Sequence, residues 1–205
     1  MAESKKKRIR REPEVARKLL LDVTERLMSE EGYAAVSTRR VAKEAGVNAA
    51  LVHYYYATTD DLFIALHRRM MDAMIVAATT ALDCENPLAA YWEFQSTRAQ
   101  AALGIEFIAL ANHRKSLSVE IAARAEEARA IQVQMIEAVV MRSTILPNIC
   151  SPIALSILLN SVARTLMNEE SVGIVCGHDE VRAVVDWAIA RITSDTTAQA
   201  GVCKA

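Results

Sequence analysis

Helix-breaking residues are scarce in this chain and lie far apart. Glycine and proline together account for ten of the 205 residues. The stretches between them are rich in Ala, Leu, Glu, Arg and Met, which lose little side-chain freedom in a helix. Because 52% of the residues are apolar, the chain is also able to bury a sizeable core. The sequence therefore predicts an all-α fold and excludes a chain that is disordered throughout.

The sequence shows neither the pattern of a signal peptide nor that of a membrane-spanning helix. The basic N-terminus runs into Glu12 and Glu14 instead of the apolar segment of a signal peptide. The longest uncharged stretch, residues 143–163, contains Pro147 and Pro152 and would make a poor spanning helix. The four cysteines are at least 26 positions apart, so no pair suggests a zinc or redox site. We expect a cytoplasmic protein with no membrane association, no metal and no other cofactor.

Charge is distributed unevenly along the chain. Residues 1–70 carry 14 Lys/Arg against 10 Asp/Glu, a net charge of +4, whereas residues 71–205 carry 10 against 15, a net charge of −5. Six of the basic residues lie within the first eleven positions, where such a density stays solvated unless a polyanion neutralises it. Residues 1–12 are therefore interpreted as a basic flexible arm for DNA phosphates, with a solubilising tail as the alternative.

Two short helices joined by a tight turn are predicted between Ser37 and Tyr55. Ser37 is a good N-cap for the first helix, Gly46 ends it in a left-handed conformation, and Asn48 caps the second. The inner positions are small or apolar, which lets the helices cross closely: Val41, Ala42, Val47, Leu51 and Val52. This spacing predicts a helix-turn-helix, although any helical hairpin with a glycine turn has the same pattern.

The outer side of the second short helix is small and lightly charged, as suits an element that enters the major groove of DNA. Arg39 and Arg40 stand in the first turn of the preceding helix, where they oppose its dipole, and a nearby phosphate would explain them. Tyr56 is expected to be a core residue. The predicted DNA-binding residues are Lys5, Lys6, Lys7, Arg8, Thr38, Arg39, Arg40, Asn48, Ala49, Ala50, His53 and Tyr54.

Six blocks of sequence, in order and with matching spacing, resemble the DNA-binding domain of TetR-type transcriptional regulators. They are Ala16–Leu20, Glu31–Tyr33, Ser37–Ala42, Ala45–Asn48, Leu51–Tyr56 and Asp60–Leu62. The resemblance covers residues 13–63 and departs from the family at Arg40, Ala50 and Thr59, where an acidic residue, glycine and lysine are common. It implies a regulator that responds to a small molecule and pairs through its final two helices.

The second half is predicted to consist of long helices. Their expected bounds are residues 60–81, 87–102, 105–113, 116 or 118 to 145, 152–169 and 179–194, with Gly104 as the break between the second and the third. In the fourth of them, Arg124 and Arg129 are assigned to a solvated face. The predicted organisation is a basic arm (1–12), a helix-turn-helix domain of three helices (13–59) and a helical effector-binding and dimerisation domain (60–205).

Two sets of side chains in this half are candidates for binding. Large apolar residues and an amide would line an effector cavity, although most residues of these types are simply core: Met74, Trp92, Phe94, Phe107, Met135 and Asn160. Surplus apolar surface on the last two helices predicts a four-helix interface between two copies: Leu155, Leu159, Val162, Val184, Trp187 and Ala188.

No catalytic pattern is recognisable in the chain. It has no glycine-rich phosphate loop, no paired histidines of a zinc peptidase and no serine set in a nucleophile elbow. We therefore expect a non-enzymatic, homodimeric DNA-binding regulator, a repressor that an unidentified and partly apolar small molecule releases from a palindromic operator. The alternative is a helical adaptor that binds a protein partner.

Overall fold

All regular secondary structure in the described part of the chain is helical, as the composition predicts. The structure, a computed structural model, describes residues 12–140 and 150–202, except for the side chains of residues 98–101 and 195–202. It forms two compact units, Met1–Leu66 and His67–Ala205. The helices are α1 (Pro13–Glu31), α2 (Thr38–Glu44), α3 (Ala49–Tyr55), α4 (Thr59–Ala81), α5 (Pro87–Gln95), α6 (Arg98–His113), α7 (Lys115–Val140), α8 (Pro152–Ser171) and α9 (His178–Val202), with a 3₁₀ turn at Tyr33–Ala35. Among the described residues, no helix is both long and apolar enough to cross a membrane.

In the first unit, side-chain caps set the start of each short helix, and the first two caps confirm the sequence prediction. Ser37 Oγ accepts a hydrogen bond from the backbone N–H three residues on, at 3.2 Å, and Asn48 Oδ1 accepts one from the N–H two residues on, at 3.0 Å. At the start of α4, the N–H of Asp61 donates to Thr58 Oγ1 while the N–H of Thr58 donates to Asp61 Oδ2. These bonds satisfy N–H groups that the first turn of a helix leaves without an intrahelical partner.

Apolar burial and ion pairs together hold α2 against α1. The buried side chains of this unit include Leu20, Leu27, Met28, Val41, Val52, Tyr56 and Phe63. Arg26 on α1 pairs with Glu44 at 3.1 Å, and Arg40 on α2 pairs with Glu31 at 2.8 Å. Exposed ion pairs contribute about 0–1 kcal/mol each. Because both pairs join α1 to α2, their main effect is to fix the position of α2 against α1.

Gly46 forms the turn between α2 and α3 with a φ of +63°. A residue with a Cβ costs about 1–2 kcal/mol in this left-handed conformation, so we expect Gly46→Ala to lower the free energy of unfolding by about 1 kcal/mol in urea titrations. Gly104 lies inside α6, and apart from its chain neighbours and the backbone of its own helix, no described atom comes within 4 Å of a Cβ at either glycine. Gly104→Ala should therefore raise the unfolding free energy by up to about 1 kcal/mol. A shift of the same sign at both positions would contradict this account.

The break between α5 and α6 lies where the sequence analysis does not place it. The predicted break at Gly104 is wrong, because α6 runs through this residue and α5 ends at Gln95. Glycine is tolerated inside a helix at a cost of about 1 kcal/mol, so Gly104 alone does not end α6. The N–H of Ser96 bonds to the carbonyl of Trp92 and closes α5. The expected end of the following long helix, at residue 145, lies outside the described residues.

A hydrophobic cluster forms part of the core of the second unit. It contains Ala78, Ala81, Leu88, Tyr91, Trp92, Met135, Ile136, Val140, Leu159, Ala163, Leu166, Met167, Ile189 and Ile192. Polar contacts join the end of α8 to the start of α9: the buried His178 places Nε2 2.8 Å from Glu169 and Nδ1 3.4 Å from Glu170. The hydrogen bond to Glu169 raises the pKa of His178, and Arg182 pairs with Glu170 at 2.6 Å. These contacts join the end of α8 to the first turns of α9.

Candidate functional site

The surface of α3 forms the first candidate site. We call it the α3 face and define it by Asn48, Ala49, Ala50, His53 and Tyr54. Ala49 is half-buried and the other four are exposed, and Tyr54 is 79% exposed. The buried Val52 anchors the opposite side of the helix. The first half of the α3 face thus consists of small side chains, and an exposed aromatic ring lies at its end.

Both ring nitrogens of His53 contact other residues of the first unit. Nδ1 lies 3.1 Å from the carbonyl oxygen of Ala57, which only accepts, so the Nδ1–H donates. Nε2 lies 3.5 Å from the hydroxyl oxygen of Thr38 and is placed to accept from it. Thr38 itself is only 8% exposed. The sequence assigns both residues to DNA contact, whereas in the structure they connect α2 to α3 and orient the α3 face.

A group of aromatic side chains closes α3. The rings of Tyr54 and Tyr55 meet edge to face with centroids 4.9 Å apart, and the guanidinium of Arg17 on α1 lies 5.4 Å from the centre of the Tyr55 ring. That distance is within the range of cation–π attraction. Tyr56 is buried, as expected of a core residue. Arg17 is absent from the sequence-based candidates, because nothing local in its own helix indicates this contact.

The basic residues of α2 divide into one that is paired and two that are exposed. Arg40 pairs with Glu31. This ion pair explains a basic residue at the start of α2 without a phosphate. It also leaves the Arg40 guanidinium less available to bind DNA than the sequence suggests. Arg39 and Lys43 are exposed and lie four residues apart, on one side of α2. Lys43 is not among the sequence-predicted residues. The predicted arm residues Lys5, Lys6, Lys7 and Arg8 lie outside the described residues.

A cavity of about 290 Å³ within the second unit is the other candidate site. Its volume is close to the lower end of the ~300–1,000 Å³ typical of small-molecule sites. Six of its apolar lining residues are Met70, Met71, Met74, Phe107, Ile108 and Ile121, and six of its polar ones are Gln95, Arg129, Gln132, Asn160, Ser161 and Arg164. The helices α4, α6, α7 and α8 supply most of this wall.

Three of the six sequence-predicted ligand residues line this cavity. Met74, Phe107 and Asn160 do so. Trp92 and Met135 instead lie in the hydrophobic cluster, and Phe94 is half-buried away from the cavity wall. Arg129, which the sequence assigns to a solvated face, is half-buried and lines the cavity, because α7 packs against neighbours on more than one side.

A hydrogen-bond network forms one wall of the cavity. Asn160 Oδ1 accepts from the Tyr91 hydroxyl at 3.0 Å, and Asn160 Nδ2 donates to Gln132 Oε1 at 3.2 Å. Gln95 Nε2 donates to the Tyr91 hydroxyl oxygen at 2.6 Å. Burial raises the pKa of Tyr91, so its hydroxyl remains a neutral donor. The amides on this wall are therefore oriented by one another.

His67 lines the same cavity and is neutral at physiological pH. It is buried, and its ring meets Phe107 edge to face with centroids 4.8 Å apart. Burial lowers the pKa of His67 to about 4, with a further lowering by the nearby Arg124 and an opposing effect of Glu120. The imidazole therefore adds no positive charge to the cavity at pH 7.

The predicted dimer residues differ in their exposure. Leu159 belongs to the hydrophobic cluster, and Leu155 and Val162 pack against it, so these three serve the core of their own chain. Ala188 is half-buried, whereas Val184 and Trp187 on α9 are exposed. The large exposed apolar side chains among the described residues of these two helices, which we call the α8/α9 surface, are Ile153, Ile157, Leu158, Val181, Val184 and Trp187.

Known proteins are similar to this chain in sequence and in fold. Residues 20–66 match the profile of the bacterial regulatory proteins of the tetR family. The HTH-type transcriptional regulator BetI of Rhizobium meliloti (strain 1021) is 34% identical over 68 residues, which are 33% of this chain and 34% of that protein. The chain thus matches about a third of the length of this curated relative.

Two solved structures share the fold over most of the chain. The fatty acid degradation regulator FadR of Bacillus halodurans superposes with a TM-score of 0.67 at 13% identity, over 90% of this chain and 96% of that one. A TetR family transcription regulator from Marinobacter aquaeolei VT8 gives a TM-score of 0.63 at 20% identity, over 91% and 95%. At these identities the likeness concerns the fold alone, and it extends well beyond the helix-turn-helix.

Proposed function

We propose that this chain, whose residues 20–66 match the profile of the bacterial regulatory proteins of the tetR family, is a cytoplasmic homodimeric repressor that a small molecule releases from a palindromic operator. The observation that carries the DNA-binding part is the exposed α3 face on a helix-turn-helix. A capped helix start with small side chains, followed by an exposed tyrosine, suits the major groove, which is about 12 Å wide. The family comprises regulators, in keeping with the expectation that the chain is not an enzyme.

The DNA contacts are divided between base reading and phosphate binding. Asn48, Ala50 and Tyr54 are the exposed residues proposed to meet the groove, and Arg39 and Lys43 are proposed to bind phosphates on its rim. Thr38 and His53 act indirectly, because their mutual contact and the bond to Ala57 fix how α3 is presented. The arm residues Lys5, Lys6, Lys7 and Arg8 add phosphate contacts in this proposal.

The second unit is proposed to provide the dimer contact and the release of DNA. One helix-turn-helix reads only a few base pairs, whereas a twofold pair reads two half-sites about 34–36 Å apart. The α8/α9 surface is the proposed contact between the copies. Helix α4 carries both the capping residue Asp61 and the cavity residues Met70 and Met74. An effector in the cavity releases DNA only if it binds the DNA-free state more tightly than the bound one.

Selection of bound duplexes from a random library by the purified protein tests this function. We expect an inverted repeat to be recovered, with half-sites about one helical turn apart. Binding of the selected duplex should weaken steeply with added salt, because each neutralised phosphate contributes a slope of about −0.9 to the log–log dependence. Recovery of no sequence above background would favour a helical adaptor.

Tyr54 should be a direct determinant of affinity for the selected duplex. Tyr54→Ala is expected to weaken binding about tenfold or more, since a contact of this kind contributes about 1–3 kcal/mol. Its melting temperature should stay at the wild-type value, because the side chain is 79% exposed. Tyr54→Phe, measured in the same gel-shift titration, separates the hydroxyl from the ring. Wild-type affinity of Tyr54→Ala would remove this residue from the interface.

A further inference from the structure

We propose that the cavity of the second unit binds an amphipathic anion, with a carboxylate-like group held by Arg129 and Arg164 and an apolar body against the methionine side of the wall. Calling this molecule the effector rests on the proposed function, whereas its binding depends on the cavity alone. The cavity volume of about 290 Å³ corresponds to roughly ten non-hydrogen atoms if each takes a share of about 30 Å³.

The charge of the cavity wall is the first argument. Arg129 on α7 and Arg164 on α8 both line it, and no aspartate or glutamate is among the described lining residues. Guanidinium groups remain charged at all physiological pH values, and His67 is neutral. The wall therefore carries two positive charges and no negative one at pH 7, which favours an anion and disfavours a cation.

The pairing of neighbouring arginines is the second argument. Arg124, one turn and a half before Arg129 on α7, pairs with Asp72 and Glu127, and Arg68 pairs with Glu120. Within the described part of the chain, neither Arg129 nor Arg164 has an acidic side chain within ion-pair distance. Asp72, Glu120 and Glu127 are thus committed to other arginines, and the two cavity arginines are left to recognise a ligand.

The third argument is the division of the wall into polar and apolar sides. Asn160 and Gln132 are hydrogen-bonded to each other, so their preferred contacts are largely satisfied within the protein. The apolar side contains Met70, Met71 and Met74, and methionine adapts readily to an irregular apolar body. Recognition by charge therefore comes from the arginines, and recognition of shape comes from flexible thioether side chains.

Octanoate, which has ten non-hydrogen atoms, is the probe we would titrate into the full-length protein by calorimetry, beside octan-1-ol and octylammonium. We expect octanoate to bind at least tenfold more tightly than the alcohol, and the ammonium compound to give no measurable binding. Arg129→Gln and Arg164→Gln should each weaken octanoate about tenfold or more and remove its advantage over the alcohol. The matched control is Arg191→Gln, an exposed arginine of α9 outside the cavity, which should bind octanoate like the wild type.

Thermal unfolding of each variant, followed by circular dichroism, verifies that it is folded. If Arg129→Gln does not fold, Arg129→Lys replaces it and should retain the preference for octanoate over the alcohol. Equal affinity for octanoate and octan-1-ol, or wild-type affinity in both glutamine variants, would overturn the proposal. The selected duplex is titrated separately: arginine-dependent octanoate binding without duplex binding would refute the repressor function alone, and duplex binding without octanoate binding would refute the anion site alone.

Discussion

Trp187→Glu is expected to convert the dimer to a monomer and to weaken binding of the selected duplex by at least a hundredfold. Trp187 is 69% exposed in the single chain, and a tryptophan at the centre of an interface commonly contributes 2 kcal/mol or more. Glutamate removes this contribution and also places a charge in an apolar contact. Separated copies bind half-sites one at a time and lose the avidity of the pair, which is typically 10²–10⁴-fold.

Val119→Glu provides a matched control for this substitution. Val119 is 76% exposed and lies on α7, so the same change from apolar to acidic is made away from the α8/α9 surface. Sedimentation velocity should show a dimer for Val119→Glu and a monomer for Trp187→Glu at equal protein concentration. Both variants should retain wild-type helicity, because neither side chain is buried within its own chain. A stable Trp187→Glu dimer would move the interface away from this part of α9.

The first unit could be predicted closely from sequence because its helix ends depend on local contacts. The cap at Ser37, the cap at Asn48 and the left-handed Gly46 each act within three residues of their own position. The sequence does not show which basic or polar side chain pairs with a residue that is distant along the chain. Arg40 pairs with a residue nine positions earlier, and His53 contacts a residue fifteen positions earlier, so neither partner is indicated by the adjacent sequence.

In the second unit, periodicity predicted helices but not the cavity. Helix α7 packs on more than one side, so one stripe of apolar residues does not define its solvated face, and periodicity alone places Arg129 in the wrong environment. The cavity needs side chains from several helices that are far apart in sequence. Met74, Phe107 and Asn160 could be proposed from residue type, whereas Trp92 and Met135 are equally suitable in type and lie in the core.

His67 should make the protein sensitive to mild acid. Its folded-state pKa is about 4, below the unfolded value of about 6.5, so the unfolded chain binds the proton more readily. Lowering the pH below 6.5 therefore favours unfolding, and the lost stability is regained as the pH rises through this window. Between pH 7 and pH 5 we expect His67 to reduce the free energy of unfolding by about 2 kcal/mol.

His67→Gln isolates this effect, because it removes the titrating ring and leaves a neutral polar side chain beside Phe107. Urea titrations of both proteins at pH 7 and pH 5 should give a loss of stability in the wild type that is about 2 kcal/mol larger than in the variant. His178, whose folded-state pKa is raised, acts in the opposite direction and remains in both proteins, so its contribution cancels in the comparison. An equal loss of stability in the two proteins would mean that His67 titrates normally in the folded chain and that water or an anion reaches its ring.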